Sequence, residues 1–137
     1  MSSHTDSYHI LLTYKGKFLL IQQENLTNTG FVDSWHFIKI AKSDNALAEK
    51  TIIQEVLNET QIHLDNVTFL AKRLQENTMH HLFHAKLSDE NVNSINRAEG
   101  RLLQFFRLGE LVKLKLAPST ELFFLDKSIS IDKLLAS

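Results

Sequence analysis

The chain has 137 residues and no cysteine, one proline and four glycines. Without cysteine there is no disulfide, no thiolate metal site and no thiol nucleophile. Average glycine usage of about 7% would give roughly nine or ten residues in this length. Only Gly16, Gly30, Gly100 and Gly109 are present, so a glycine-built phosphate cradle is poorly supplied. An excess of positive charge is missing too. The formal net charge is -1, which argues against broad nucleic-acid binding, since that needs a basic surface. No run approaches the roughly 18 consecutive apolar residues that span a bilayer. The segment from Met1 to Ser7 is polar, with no basic stretch leading into an apolar one, and so does not read as a secretory signal. A soluble, cytoplasmic protein without membrane contact is the expectation.

What remains is globular in composition, at 43% hydrophobic and 23% charged residues. Length and composition suit one domain over residues 1–137, with residues 1–7 expected to be flexible. Two strand-like runs, Tyr8 to Tyr14 and Lys17 to Gln23, flank Lys15-Gly16 and predict a hairpin. Residues 24–34 carry turn chemistry. Trp35 to Ile40 predicts a short strand, and Ser43-Asp-Asn45 supplies capping oxygens for a helix over residues 46–60. Val67 to Leu74 and Met79 to Leu87 predict an antiparallel pair. Leu102 to Leu108 predicts another strand, residues 109–112 a helical turn, and the segment after Ser128 or Ser130 a last helix through Ala136. Strands, a central amphipathic helix, more strands and a terminal helix imply a mixed sheet covered by helices.

The central helix carries the most suggestive pair. Glu55 and Glu59 are four residues apart and therefore neighbours on one helix face. At about 100° per residue both fall on one flank of the stripe formed by Ile52, Ile53, Val56 and Leu57. Two carboxylates at the rim of a packed surface can hold a hard divalent cation, which takes oxygen ligands and keeps several waters. The same spacing also fits a solvated helix face, because glutamate is a strong helix former. The choice between the two comes from the flanking residues.

Trp35-His-Phe-Ile-Lys-Ile40, a polar loop, and the helix ending Gln54-Glu-Val-Leu-Asn-Glu-Thr-Gln-Ile62 together resemble the Nudix hydrolase signature, G-x5-E-x7-R-E-U-x-E-E-x-G-U. Glu55, Val56, Glu59 and Ile62 match it. Ile40 and Gln61 stand where glycines are expected, Ala46 and Asn58 where glutamates are, and Gln54 where arginine is. The opening hairpin is similar to the family's first two strands, and Trp35 and Phe37 to its aromatic strand before the box. Ala98-Glu-Gly-Arg-Leu-Leu-Gln-Phe-Phe106 is similar to a segment of the oxidised-nucleotide pyrophosphohydrolase branch, where a loop glutamate approaches the metal. Glu99 matches that glutamate. The resemblance spans roughly residues 8–125.

The resemblance implies an α/β (α+β) fold, an α/β/α sandwich with a mixed central sheet. It also implies cleavage of a nucleoside diphosphate linked to another group, with Mg2+ or Mn2+ as cofactor. By that likeness Glu55, Glu59 and Glu99 are metal ligands, and Glu55 and Glu99 are the catalytic carboxylates. Trp35 and Lys39 are the candidate substrate contacts, Lys39 by replacing part of the metal's charge. The departures bear on activity. Asn58 coordinates without bringing charge, and Gln54 lacks the bidentate charged bond by which arginine orients a carboxylate. Slow or lost hydrolysis of a nucleotide-type small molecule is the expectation. The alternative is an inactive Nudix-fold module binding a nucleotide, a nucleic-acid end or a protein.

One further cluster invites a metal reading. On a strand, His80, Leu82 and His84 share one face, and His81 and Phe83 the other. With no carboxylate nearby in the sequence, these read as surface or cross-strand residues. The pairs Phe105-Phe106 and Phe123-Phe124 read as core.

Overall fold

The computed structural model describes residues 5–23, 34–40, 48–95 and 101–136. Strand β1 (Thr5–Tyr14) lies at the centre of the sheet. Tyr8, Ile10 and Leu12 face one side and Ser7, His9, Leu11 and Thr13 the other, and all seven are buried. Burial on both faces accounts for the nearly continuous apolar run. A two-residue turn at Lys15 and Gly16, with φ of 46° and 78°, leads into β2 (Lys17–Gln23). Positive φ at both positions is the type I′ geometry, whose twist matches that of paired strands. The turn between β4 (Thr68–Gln75) and β5 (Thr78–Lys86) has the same form, with Glu76 at 47° and Asn77 at 69°.

The sheet runs in the order β4-β5-β1-β2-β6, with β6 spanning Arg101–Phe106. Strand β5 lies parallel to β1 from Thr5↔Thr78 to Thr13↔Lys86, whereas the other strand pairs are antiparallel. The sheet is therefore mixed, as expected from the sequence. Strand β3 (Ile38–Ile40) pairs with the first half of β1, and β2 pairs with the second half. Where β2 diverges from β1, His36 and Ile21 exchange two backbone hydrogen bonds of 2.9 Å. The segment 35–40 thus fills a splay between two strands and keeps their backbone groups bonded.

Helices α1 (Ala48–Thr60) and α2 (Asp89–Asn93) lie on one face. There Ile52 and Val56 pack with Tyr8, Ile10, Leu12, Ile38 and Ile40, and Val92 of α2 joins them. The opposite face carries the 3-10 turn Leu108–Lys113, α3 (Pro118–Phe124) and α4 (Ile131–Ala136). Its cluster centres on Leu11, Phe18, Leu20, Phe37, Leu82, Phe106 and Phe123. The result is an α/β/α arrangement.

Strand β1 begins three residues before the aliphatic run suggests, because Thr5, Asp6 and Ser7 pair with Thr78, Met79 and His80. Residues 1–4 and the capping candidates Ser43 to Asn45 lie outside the described residues. Two helices went unread in the sequence. Helix α2 is announced by Ser88, whose hydroxyl accepts from the Asn91 amide while the Asn91 side chain accepts from the Ser88 amide. Helix α3 is announced by Pro118 in its first turn.

The end of α1 has unusual backbone chemistry. Gln61 takes φ of 65°, and its amide donates to the Leu57 carbonyl at 2.9 Å. A left-handed residue after the last helical one is a common helix stop, and glycine is the usual occupant. Buried Thr60 supports the stop. Its hydroxyl donates to the Val56 carbonyl at 2.6 Å and accepts from the Ile62 amide at 3.2 Å. The backbone conformation for which a glycine is expected persists at Gln61 despite its side chain.

Candidate active site

Helix α1 turns Ile52, Val56 and Thr60 into the core and Gln54 and Asn58 toward solvent. Glu55 and Glu59 lie between these extremes, both half-buried, on one flank of the helix. Residues so spaced are neighbours on the helix surface, with Cβ atoms about 5–6 Å apart. Gln54 donates from Nε2 to Asn58 Oδ1 at 2.9 Å. The amide oxygen of Asn58 is therefore bonded to a neighbouring side chain.

Two half-buried carboxylates with water completing the shell suit a magnesium-type ion, which is commonly bound through one or two carboxylates plus substrate phosphates. Among the described residues no group of three or more His, Cys, Asp or Glu side chains forms a metal-binding cluster. Glu99, the third sequence candidate, lies outside the described residues, as does Ala46. Two residues beyond Glu99, Arg101 pairs with Gln23 at the start of β6.

Trp35 and Lys39 are not brought to the glutamates. Ile38 and Ile40 point into the α1-side cluster, so Lys39 between them leaves the sheet on the opposite face, paired with His9. Trp35 packs edge-on against Phe106 on that far side, with ring centroids 4.9 Å apart. Strand alternation decides both positions.

A second polar group on the α1 face was not singled out from the sequence. Asp6 Oδ1 and His81 Nε2 are 2.9 Å apart, and the His81 ring stacks on Tyr8 with centroids 4.6 Å apart. Burial, and then the nearby Asp6 charge, push the Tyr8 phenol above its ordinary range. Asp6 falls in the polar leader, and only the parallel pairing of β1 with β5 brings it to His81. On the far face His80, Leu82 and His84 do share one side. They are cross-strand residues: His80 Nδ1 lies 3.0 Å from His9 Nε2, and His84 Nε2 lies 2.8 Å from Thr13 Oγ1. The signal for His9 is the polar alternation Ser7, His9, Thr13 within β1.

No protein-family model matches the sequence, and no curated protein matches it either. Solved structures do match. The mixed sheet, the helix across it and the strand segment wedged into the splay make up a Nudix fold. A mutT/nudix family protein from Listeria innocua is 16% identical, with a TM-score of 0.71, covering 99% of this chain and 95% of that one. MutT from Aliivibrio salmonicida and Vibrio cholerae gives 9% identity and a TM-score of 0.68, covering 87% and 92%. The NUDIX domain of Shewanella oneidensis NrtR, solved with ADP ribose, gives 14% and 0.64, covering 90% and 86%. At these identities the likeness shows the fold. Among the described residues no helix is long and apolar enough to cross a membrane.

Proposed function

We propose that the protein binds a nucleoside diphosphate linked to another group and hydrolyses the diphosphate slowly, with Mg2+ or Mn2+ as cofactor. The observation that carries this reading is the pairing of Glu55 and Glu59 on one half-buried flank of α1 within a Nudix fold. The NrtR domain supports the substrate class, since ADP ribose is a diphosphate of that kind. A divalent cation, when bound, offsets the diphosphate's negative charge and polarises its phosphorus–oxygen bonds. Glu55 and Glu59 would hold that cation, and Glu99 would serve as a further ligand or as the base that takes the proton from attacking water. Neither Trp35 nor Lys39 has a role in this reading, because both lie on the far face. Turnover is slow because position 58 adds no charge and its oxygen is engaged by Gln54.

Pure protein incubated with ADP ribose and a panel of nucleoside diphosphate conjugates, with Mn2+ or Mg2+, tests this. Cation-dependent release of mononucleotide, lost in Glu59→Gln, is the expected result. Absence of turnover across the panel, or turnover unchanged in Glu59→Gln, would sink it.

The Gln54–Asn58 bond also favours a second reading, a binding module without catalysis. One structural neighbour, the C-terminal domain of mouse MUTYH, was solved in complex with human PCNA; it is 12% identical, with a TM-score of 0.66. Calorimetric binding of ADP ribose with no product after prolonged incubation would select this reading over the first.

A further inference from the structure

We propose that the outer edge of β4 is a docking surface for an extended acidic peptide of a partner protein. A groove of about 660 Å³ runs between residues 69–73 of β4 and residues 128–130, 133 and 134 around the start of α4. Successive side chains of a strand point to opposite faces. Ala71, Lys72 and Arg73 are consecutive in the regular part of the strand and all line the groove, so it follows the backbone edge. Strand β5 takes one edge of β4, and among the described residues no strand pairs with the other. Apart from the Lys72 carbonyl, which accepts from the Arg73 guanidinium at 2.7 Å, that edge is open to strand addition.

The opposite wall is fixed in place. Asp126 accepts from both the amide and the hydroxyl of Ser128, and forms an ion pair with Arg73. Arg73 also donates to the Ser128 hydroxyl at 2.7 Å. Arg73 thus ties β4 to the turn at residues 126–128 and fixes the spacing of the two walls at that end of the groove, which lowers the ordering cost of binding.

Charge selects the occupant. Lys72, Arg73 and Lys133 line the groove, and among the described residues no acidic side chain does. Arg73 is matched by Asp126, while Lys72 and Lys133 form no ion pair among the described residues. Phe69 at 48% and Leu74 at 61% exposure add apolar anchors along the same strand. A β-bulge between Phe69 and Ala71 interrupts the register, so the regular stretch available is residues 71–75. An antiparallel pairing of β4 with β4 of a second copy would set Lys72 and Arg73 of each copy near those of the other. Like charges placed opposite one another are unfavourable, so the edge favours an acidic chain over itself.

The test uses the full chain and a panel of labelled ten-residue peptides with glutamate at alternate positions and valine, isoleucine, leucine or phenylalanine between. Fluorescence anisotropy and backbone amide NMR are the readouts. Binding should shift amides 71–75, weaken at least tenfold in the Lys72→Glu/Lys133→Glu variant, and fall in about 0.5 M salt as screening shortens. Lysine-for-glutamate peptides should not bind. The proposal is overturned if no peptide shifts these amides, or if the charge-reversed variant binds as well as the wild type. Inorganic phosphate alone producing the same shifts, or light scattering showing a dimer that Leu74→Asp dissolves, would overturn it too. Nucleotide turnover should be unchanged in the charge-reversed variant, which separates this surface from the α1 site.

Discussion

His9 and His80, on neighbouring parallel strands, share a hydrogen bond between Nε2 and Nδ1 at 3.0 Å in the interior of the protein. Burial chiefly, then His80, Lys39, His36 and His81, push the His9 imidazole down to about 3. Phe123 of α3 lies edge-on to the ring from the covering layer. His9 is thus neutral in the folded state, whereas in the unfolded chain it takes a proton near 6.5. The unfolded state binds more protons as pH drops below about 6.5, so stability falls from there down to about 3. His80 and His84 shift in the same direction, mainly through burial. Urea unfolding at pH 8, 7, 6 and 5 should show level stability above pH 7 and then a loss approaching about 1.4 kcal/mol per pH unit for His9 alone. The double variant His9→Leu/His80→Leu should flatten that slope. A slope of unchanged steepness would show that these rings are not its source.

Gln61→Gly should stabilise the protein. A left-handed conformation costs a residue with a Cβ about 1–2 kcal/mol, and Gln61 sits at φ of 65°. The greater freedom of glycine in the unfolded chain offsets part of this. A gain of about 0.5–1 kcal/mol, or a few degrees in Tm, is expected by thermal unfolding. No gain would mean that the Gln61 side chain makes compensating interactions.

Thr60→Val should act in the opposite direction with little change in volume. It removes the donor to the Val56 carbonyl and the acceptor for the Ile62 amide, both in the interior. Leaving a buried amide unpaired costs about 1–3 kcal/mol. Chemical denaturation should report that loss with an unchanged m-value.

The double variant Gln54→Arg/Asn58→Glu should tighten divalent-cation binding. It exchanges the neutral Gln54–Asn58 bond for a charged pair and adds a carboxylate near Glu55 and Glu59. Affinity tracks ligand charge, so calorimetry with Mn2+ should show a gain on the order of tenfold, about 1.4 kcal/mol. Glu55→Gln in the same background should remove it.

Much of this protein follows from local pattern. Alternation marked the strands, Lys15-Gly16 the first hairpin, and helical spacing put Glu55 and Glu59 on one flank beside the Ile52 and Val56 stripe. These are contacts between near neighbours in sequence, and the backbone period alone sets them. Other properties depend on partners far away along the chain. Pairing β1 with β5 joins residues more than seventy positions apart, and it alone buries His9 against His80 and brings Asp6 to His81. The register of β3 on β1 decides that Lys39 leaves on the face away from α1. The scarcity of glycine left the stop of α1 unread: Gln61 adopts the left-handed conformation that glycine usually takes, next to the Leu57 carbonyl and the Thr60 hydroxyl. Sequence determined which side chains each element could present. Tertiary pairing decided which of them meet, because register and face are properties of two segments together and are written in neither one alone.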